Sequence, residues 1–240
     1  VKECEAMMIK LFGEPVVFDE EAPQETRFLQ LFNRRHFPFV LFVAAIWTCQ
    51  VIPMFAIYTF GPQIVGLLGL GAGKSAALGN VVISLCFMLG CIPPMFWLNS
   101  AGRRPLLIGS FIMMTLALAV LGLIPDMGAW LVVLAFAVYA FFSGGPGNLQ
   151  WLYPNELFPT DIRASAVGVI MSLSRIGTIV STWALPVFIT KYGISNVMLM
   201  GAGISLIGLL VSIAFAPETR GLTLAQTSQM TIRSKPVTRA

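Results

Sequence analysis

The segment SAVGVIMSLSRIGTIVSTWALPVFI, residues 165–189, carries one charge, Arg175, in an otherwise uncharged and largely apolar run. About 20 residues of apolar helix, rising about 1.5 Å each, cross the roughly 30 Å hydrocarbon core of a bilayer. The segment therefore predicts a transmembrane helix, because lipid offers an open backbone no hydrogen-bond partners. Arg175 would lie about 15 Å into the bilayer, near its midplane.

A charge at that depth costs roughly 2.5–3.5 kcal/mol even on the scale derived from helix insertion. Such a cost indicates that Arg175 has a partner, which is another residue, a water-filled cavity or a bound anion. No Asp or Glu falls within any span predicted here. The partner is therefore expected to be the substrate or a part of the protein outside this chain.

The composition of the whole chain is that of an integral membrane protein. Of its 240 residues, 57% are hydrophobic and only 11% are charged, whereas a soluble domain carries about 25% charged residues. The basic residues are scattered between apolar runs, so the net charge of +4 does not predict nucleic-acid binding. Four cysteines without metal-site spacing and a single histidine predict neither a metal site nor a cofactor.

Six apolar runs are long enough to cross a bilayer, so we predict an all-α membrane protein with six transmembrane helices. Turn formers or charges separate the runs, for example at Gly61-Pro62 and from Pro154 to Arg163. Residues 1–37 are predicted to form a cytoplasmic linker, residues 38–216 the helix bundle and residues 217–240 a cytoplasmic tail. The predicted spans are 38–58, 75–98, 105–124, 129–152, 165–189 and 195–216.

The distribution of positive charge predicts the orientation of these helices. All Lys and Arg residues except Arg175, Lys74 and Lys191 lie in segments on one side of the predicted spans. Because cytoplasmic loops carry the excess of positive charge, both termini are predicted to be cytoplasmic. The chain begins without a Met and without the apolar core of a signal peptide, so we expect it to be a piece of a longer protein.

Three short motifs lie at the predicted cytoplasmic ends or within the fourth span. They are NSAGRRP (99–105), GPGNLQW (145–151) followed by ELFP (156–159) and Arg163, and PETRG (217–221). Together they resemble the major facilitator superfamily, in particular its sugar-porter and organic-ion branches. The first motif departs from the family pattern Asp-Arg-x-Gly-Arg-Arg, since Asn99 and Ser100 replace its first two residues.

The resemblance implies that six helices with both ends inside form the C-terminal half of a twelve-helix transporter. In such a half, three helices repeat the preceding three in inverted topology. Charges at the inner helix ends can pair when the cytoplasmic side is shut and separate when it opens, and the family uses them as a gate. The alternative is that they only set the topology. The predicted gate residues are Arg103, Arg104, Glu156, Arg163, Glu218 and Arg220.

The run Gly144-Gly145-Pro146-Gly147-Asn148 predicts a break in the fourth span, because glycine and proline allow helices to bend. Broken helices often line the substrate path of a transporter. Close helix packing through small residues is the alternative. Trp151 follows one turn later and matches a family position near the bound substrate, although a Trp that only packs is the competing interpretation.

The resemblance also bears on the substrate, because this chain lacks the amide side chains of hexose carriers. Their positions hold Thr48, Cys49, Met54, Phe87 and the pair Ser174-Arg175. An Arg at the last of these positions goes with anionic substrates in the organic-ion and metabolite symporter branch. A guanidinium can hold a carboxylate through two parallel hydrogen bonds.

The residues around Arg175 extend this predicted anion site. The spacings of 3, 3 and 4 between Ser172, Arg175, Thr178 and Thr182 place the four on one helical face. Pairing of Arg175 with a carboxylate or carbonyl of the missing half is the alternative. The predicted substrate-binding residues are Arg175, Ser172, Thr178, Thr182, Gln50, Trp151, Tyr58 and Asn148.

The prediction for the whole protein is secondary active transport of a small organic metabolite, a carboxylate anion, by alternating access in a bacterial inner membrane. If the carrier is coupled to protons, the protonated group lies in the N-terminal half, because no predicted span here holds a carboxylate or His. The alternatives are a sugar or polyol carrier with a different binding set, and a half-transporter remnant that transports nothing. No cluster of nucleophile, base and orienting group predicts an enzyme.

Overall fold

The computed structural model describes residues 31–34, 36–65, 74–100, 102–124 and 128–219. Within these ranges the regular structure is helical, which agrees with the predicted all-α class. The predicted linker (1–37) and tail (217–240) fall largely outside the described residues. The helices are α1 (Phe37–Val65), α2 (Lys74–Gly90), α3 (Ile92–Ser100), α4 (Arg103–Leu123), α5 (Ala129–Leu157) and α6 (Thr160–Phe215).

Five stretches of the described chain are long and apolar enough to cross a membrane, and the second of them joins α2 to α3. The last is α6, whose 56 residues would measure about 84 Å if straight, far more than the roughly 30 Å of a hydrocarbon core. Gly193 interrupts it with φ 79, a left-handed backbone that glycine adopts at little cost. We call residues 160–192 the first arm of α6 and residues 194–215 its second arm.

Two predicted helix breaks are wrong. α1 continues through Gly61-Pro62 to Val65, and α5 continues through the predicted break at Gly144–Asn148, including Pro146. The break predicted from Pro154 to Arg163 is confirmed, since α5 ends at Leu157 and α6 begins at Thr160. A break inside lipid would leave several backbone groups without hydrogen bonds, whereas a proline in a continuous helix removes only one bond.

The small residues of α5 serve close packing. A Cβ atom on Gly144 would lie 2.5 Å from the carbonyl carbon of Gly90 in α2, and a Cβ on Gly90 would overlap the carbonyl oxygen of Phe141. The backbones of α2 and α5 therefore meet directly. A residue larger than glycine at position 90 or 144 would prevent this close approach. Close helix packing through small residues, the alternative interpretation of this glycine-rich run, describes this contact correctly.

The packing of the helices gathers their charged ends on one side of the bundle. α1 packs against α6, α4 lies between α5 and α6, and α2 packs against α5. Ring contacts of His36 with Phe158 and of Phe42 with Tyr153 bring the start of α1 to the end of α5. The start of α4 and the segment after α6 meet at the same side. We call this side, which holds Arg103, Glu156 and Glu218, the charged end.

Candidate functional site

Arg175 lies on the exposed side of the first arm of α6, and its guanidinium is stacked on an aromatic ring. The guanidinium carbon is 5.4 Å from the centroid of Phe55 in α1. The close approach of the two helices makes this contact possible, since a Cβ on Gly177 would lie 2.8 Å from the Thr48 methyl group. No carboxylate within the described ranges forms an ion pair with Arg175.

The structure divides the three residues predicted to share a face with Arg175. Ser172 is exposed like Arg175, and its hydroxyl donates to the Gly168 carbonyl at 2.8 Å. Thr178 is buried and donates to the Ser174 carbonyl at 3.0 Å, while Thr182 is half-buried. Only Ser172 therefore shares the open side of Arg175, because the face defined by these spacings curves into the bundle towards Thr178.

Gln50 and Trp151 lie where α1 crosses α5. The Trp151 indole is 49% exposed and forms an edge-on contact with Trp47, with ring centroids 5.0 Å apart and an interplanar angle of 67°. Gln50 is 1% exposed, and its amide nitrogen donates only to the Met54 sulfur, at 3.4 Å. Its carbonyl oxygen Oε1 has no hydrogen-bond partner among the described residues.

Tyr58 and Asn148 contact α2 and the chain just after it. Tyr58 packs edge-on against Phe87 at 5.7 Å between centroids, and within the described structure its buried hydroxyl has no partner. The Asn148 amide nitrogen donates to the Cys91 carbonyl at 2.8 Å, at the break between α2 and α3. This bond satisfies a carbonyl that the interrupted helix leaves open. The amide nitrogen of Asn148 therefore already forms a structural hydrogen bond.

Two residues of this region were not predicted from the sequence, namely Trp47 and Phe55. Apolar aromatic residues in a transmembrane run are ordinarily assigned to packing, and nothing in their type separates them from the rest of the core. The position of Trp47 carried a signal: Trp47, Gln50, Met54 and Tyr58 follow one another at intervals of 3, 4 and 4. That spacing places all four on one face of α1.

An ion pair and a carboxylate cap join three segments at the charged end. Arg103 Nη2 lies 2.8 Å from Glu156 Oε1, and both side chains are mostly buried. The Glu218 carboxylate accepts the backbone N–H groups of Arg103 and Arg104 at 3.0 and 3.1 Å. Since the N-terminus of a helix carries partial positive charge, this carboxylate stabilises the first turn of α4.

Gly102 is required where α4 begins. Its φ of 94 and ψ of 165 belong to a backbone region that is essentially restricted to glycine. A Cβ there would also lie 2.6 Å from Glu218 Oε2. The glycine of the NSAGRRP motif thus lets the Glu218 carboxylate reach the helix.

The other charged-end residues bond mainly to backbone groups. Thr219 donates to Glu156, and Tyr153 donates to the Pro217 carbonyl at 3.2 Å. Arg104 donates to the Ile213 carbonyl at 2.8 Å. Arg163 donates to the Phe158 carbonyl at 3.2 Å, and Arg220 lies outside the described residues. Of the six predicted gate residues, the structure therefore brings Arg103, Arg104, Glu156 and Glu218 into one network.

Nothing within the described ranges resembles a metal site, since no group of three or more His, Cys, Asp or Glu side chains is placed to hold an ion there.

Comparison with known proteins connects this architecture to transporters. Residues 14–231 match the family model for sugar (and other) transporters. The chain is 89% identical, over 98% of its length, to the metabolite transport protein YaaU of Escherichia coli (strain K12). It is 31% identical, over 92% of its length, to the inner membrane metabolite transport protein YgcS of the same organism. It covers 53% and 49% of these proteins, so the chain spans about half the length of the curated relatives it matches.

Solved structures show the same fold. The chain superposes on the major facilitator superfamily proton:xylose symporter XylE, bound to 6-bromo-6-deoxy-D-glucose, with a TM-score of 0.68 over 83% of its length and at 20% identity. It covers 43% of that symporter. The resemblance inferred from the motifs is thereby confirmed, and the relatives and the fold are those of transporters rather than enzymes.

Proposed function

Since the chain belongs to the sugar (and other) transporter family of the major facilitator superfamily, we propose that it forms the C-terminal half of a secondary transporter for a small organic anion. The observation that carries the proposal is the exposed guanidinium of Arg175 over Phe55, which no carboxylate of the described residues neutralises. The carrier works by alternating access in a bacterial inner membrane, with both termini of this half in the cytoplasm.

The energetics of Arg175 support an anionic substrate. A cation over an aromatic ring gains roughly 0.5–1 kcal/mol, or about 2 kcal/mol when desolvated. A charge near the bilayer midplane costs roughly 2.5–3.5 kcal/mol, so Phe55 offsets only part of that cost. A carboxylate that binds both guanidinium nitrogens offsets the rest, and it also supplies the fixed orientation that selects one solute over another.

The division of α6 at Gly193 supports six crossings, in agreement with the number of apolar runs in the sequence. The proposed arrangement is two groups of three helices in inverted repeat. Large apolar side chains are exposed along α2, α3 and the first arm of α6, including Met95, Phe96 and Trp183. We assign part of this surface to the N-terminal half and the remainder to lipid.

The network at the charged end supports a gate on the cytoplasmic side. Glu156 joins α5 to α4 through Arg103, and Glu218 joins the segment after α6 to the same helix. In the proposed cycle these contacts hold the helix ends together while that side is shut, and they loosen as it opens. The exposed Arg104 and the half-buried Arg163 are the members best placed to meet charges of the other half.

Proton coupling would depend on the N-terminal half. The described transmembrane residues between the two ends of the bundle contain no carboxylate and no histidine, so the proton would bind a group of the N-terminal half. The relatives XylE and YgcS are named as a proton:xylose symporter and a metabolite transport protein, which is compatible with symport.

A second candidate is a carrier for a neutral sugar or polyol. It is favoured by the half-exposed Trp151 and by the Gln50 carbonyl oxygen, which has no partner among the described residues, because hydroxyl-rich solutes need amide groups and an aromatic surface. A non-transporting remnant is the third candidate, since half a transporter has no complete cavity.

Uptake into proteoliposomes separates the three candidates. The chain is reconstituted alone and together with the N-terminal half of the Escherichia coli relative YaaU. Radiolabelled small carboxylates and neutral sugars are then supplied with and without a pH gradient. The proposal expects uptake of a carboxylate only when both halves are present. Uptake of sugars but not of carboxylates would favour the second candidate. Absence of uptake both with and without the N-terminal half would favour the third.

A further inference from the structure

Trp47 is the largest of the fully buried side chains that the structure describes. It contacts Trp151, a residue of the proposed substrate site. It is 2% exposed and lies on α1. Its ring meets Trp151 of α5 in a T-shaped contact at 5.0 Å. Trp151 is half exposed, so this pair joins a side chain inside the bundle to one on the open surface.

A half-exposed indole needs support to keep one orientation. Without a neighbour, the Trp151 side chain would populate several rotamers, and a solute would have to order it on binding. Edge-to-face aromatic pairs prefer one geometry because the ring edge is positive and the ring face negative. The contact with Trp47 therefore limits the orientations of Trp151 and leaves part of its indole free.

A polar side chain, that of Gln50, lies one turn from Trp47 where the same two helices cross. Gln50 follows Trp47 by three residues on α1, and Gly147 precedes Trp151 by four residues on α5. A Cβ on Gly147 would lie 3.9 Å from the Gln50 amide nitrogen, so Gln50 faces a position that has no side chain. The free carbonyl oxygen of Gln50 and the supported indole of Trp151 thus lie along one helix crossing.

We infer that Trp47 is a positioning residue, which holds the Trp151 indole in the orientation that contacts the transported solute. The inference rests on the proposed function, since it takes Trp151 as a substrate contact. Trp47 itself is buried and does not touch the solute. It acts on affinity through the orientation of Trp151.

A Trp47 that only fills the core would behave differently from a positioning residue. Loss of core volume lowers stability and leaves the KM of the folded protein unchanged. Loss of orientation raises KM while the maximal rate changes little, because the folded carrier still cycles. Phe111 provides the matched control: it is equally buried, and it contacts Gly208 in the second arm of α6.

The test uses the chain reconstituted with the N-terminal half of YaaU. The substrate is the carboxylate identified by the proteoliposome uptake experiment. Trp47→Leu is expected to raise KM roughly two- to tenfold, the range that corresponds to the loss of one aromatic pair. Trp47→Phe, which keeps an aromatic edge, should recover most of this loss. Phe111→Leu should lower the melting temperature and leave KM unchanged. The edge-on indole pair should give an exciton couplet in circular dichroism, which disappears in both Trp47→Phe and Trp151→Phe.

The outcomes separate failure of this inference from failure of the proposed function. An unchanged KM in Trp47→Leu beside a raised KM in Trp151→Phe overturns the positioning role and leaves the transport proposal intact. An unchanged KM in Trp151→Phe overturns both the role of Trp151 and that of Trp47. If Trp47→Leu does not accumulate in the membrane, the couplet decides, and its persistence in either Phe variant overturns the inference.

Discussion

Arg175 and Phe55 face each other where α1 meets the first arm of α6, with the guanidinium carbon 5.4 Å from the ring centroid. The ring holds the cation without neutralising it. A carboxylate in place of Phe55 would have formed a permanent ion pair and left no net charge for a solute. The aromatic contact is weak enough to coexist with a bound anion, and its geometry keeps the guanidinium near the crossing of the two helices.

Replacement of the Arg175 charge tests this relationship directly. Arg175→Gln should lower the affinity for a carboxylate by about 10- to 100-fold, the range expected for a lost charge-assisted hydrogen bond. Arg175→Lys should lie between Gln and the native residue, because an ammonium does not form the two parallel bonds. Transport kinetics in proteoliposomes give the measurement.

Lys191→Gln is the matched control for Arg175→Gln. Lys191 also lies over an aromatic ring, 5.3 Å from the centroid of Tyr192, but at the C-terminal end of the first arm of α6, whereas Arg175 lies near the middle of that arm. Its replacement should leave carboxylate affinity within about twofold, as expected for an exposed charge far from the solute. Equal losses in the two variants would show a general charge effect and contradict a specific anion site.

Substitution of Gly102 should destabilise the charged end. Gly102→Ala forces a side chain into a φ of 94 and against the Glu218 carboxylate. The cost should be about 1–3 kcal/mol, visible as a lower melting temperature in detergent. Gly109→Ala, also on α4 but with no heavy atom within 4 Å of its Cβ position, should instead gain about 0.5–1 kcal/mol. A similar loss in both variants would contradict the requirement for glycine at 102.

The Arg103–Glu156 pair should show strong coupling. Glu156→Gln leaves Arg103 mostly buried without its counter-charge, and it should cost about 1.5–3 kcal/mol of stability. The double replacement Arg103→Gln with Glu156→Gln should cost less than the sum of the two single changes, because it leaves no charge unpaired. Unfolding of all four proteins in detergent measures the coupling, and additive losses would exclude it.

The direct backbone contact between α2 and α5 makes Gly144 sensitive to a single methyl group. In Gly144→Ala the new Cβ would lie 2.5 Å from Gly90 and 2.7 Å from the Cys91 nitrogen. Backbone atoms cannot turn aside as side chains do, so we expect a loss of about 1–3 kcal/mol. Gly168→Ala serves as the control, since no heavy atom lies within 4 Å of its Cβ position. A stable Gly144→Ala protein would show that the helices separate easily.

Hydropathy and charge in the sequence were sufficient for the all-α class and for the approximate positions of the helices, although α6 covers two of the six predicted spans as one stretch. The solvent in a membrane imposes one solution on a long apolar run, which is a hydrogen-bonded helix. The ends of the helices were harder to predict from the sequence. Pro62 and Pro146 are residues that commonly interrupt helices, but here the helices continue past them.

The site was only partly accessible from the sequence. Arg175 stood out because its charge is costly in lipid. Thr178 shared its helical spacing but turns into the bundle, because a spacing defines a face and not the neighbour that covers it. For Trp47 the spacing with Gln50, Met54 and Tyr58 was the one signal in the sequence. Phe55 could be recognised only from the packing of α6 against α1, since an apolar aromatic residue has no chemistry of its own to distinguish it.

The Glu218 carboxylate that caps α4 lies 115 residues after Arg103 in the chain. A ribosome therefore releases α4 into the membrane long before the group that completes its first turn has been made. During that interval the N–H groups of Arg103 and Arg104 must be satisfied by water or lipid headgroups. A nascent chain that stops before residue 218 lacks this carboxylate, so the first turn of its α4 has no cap from Glu218.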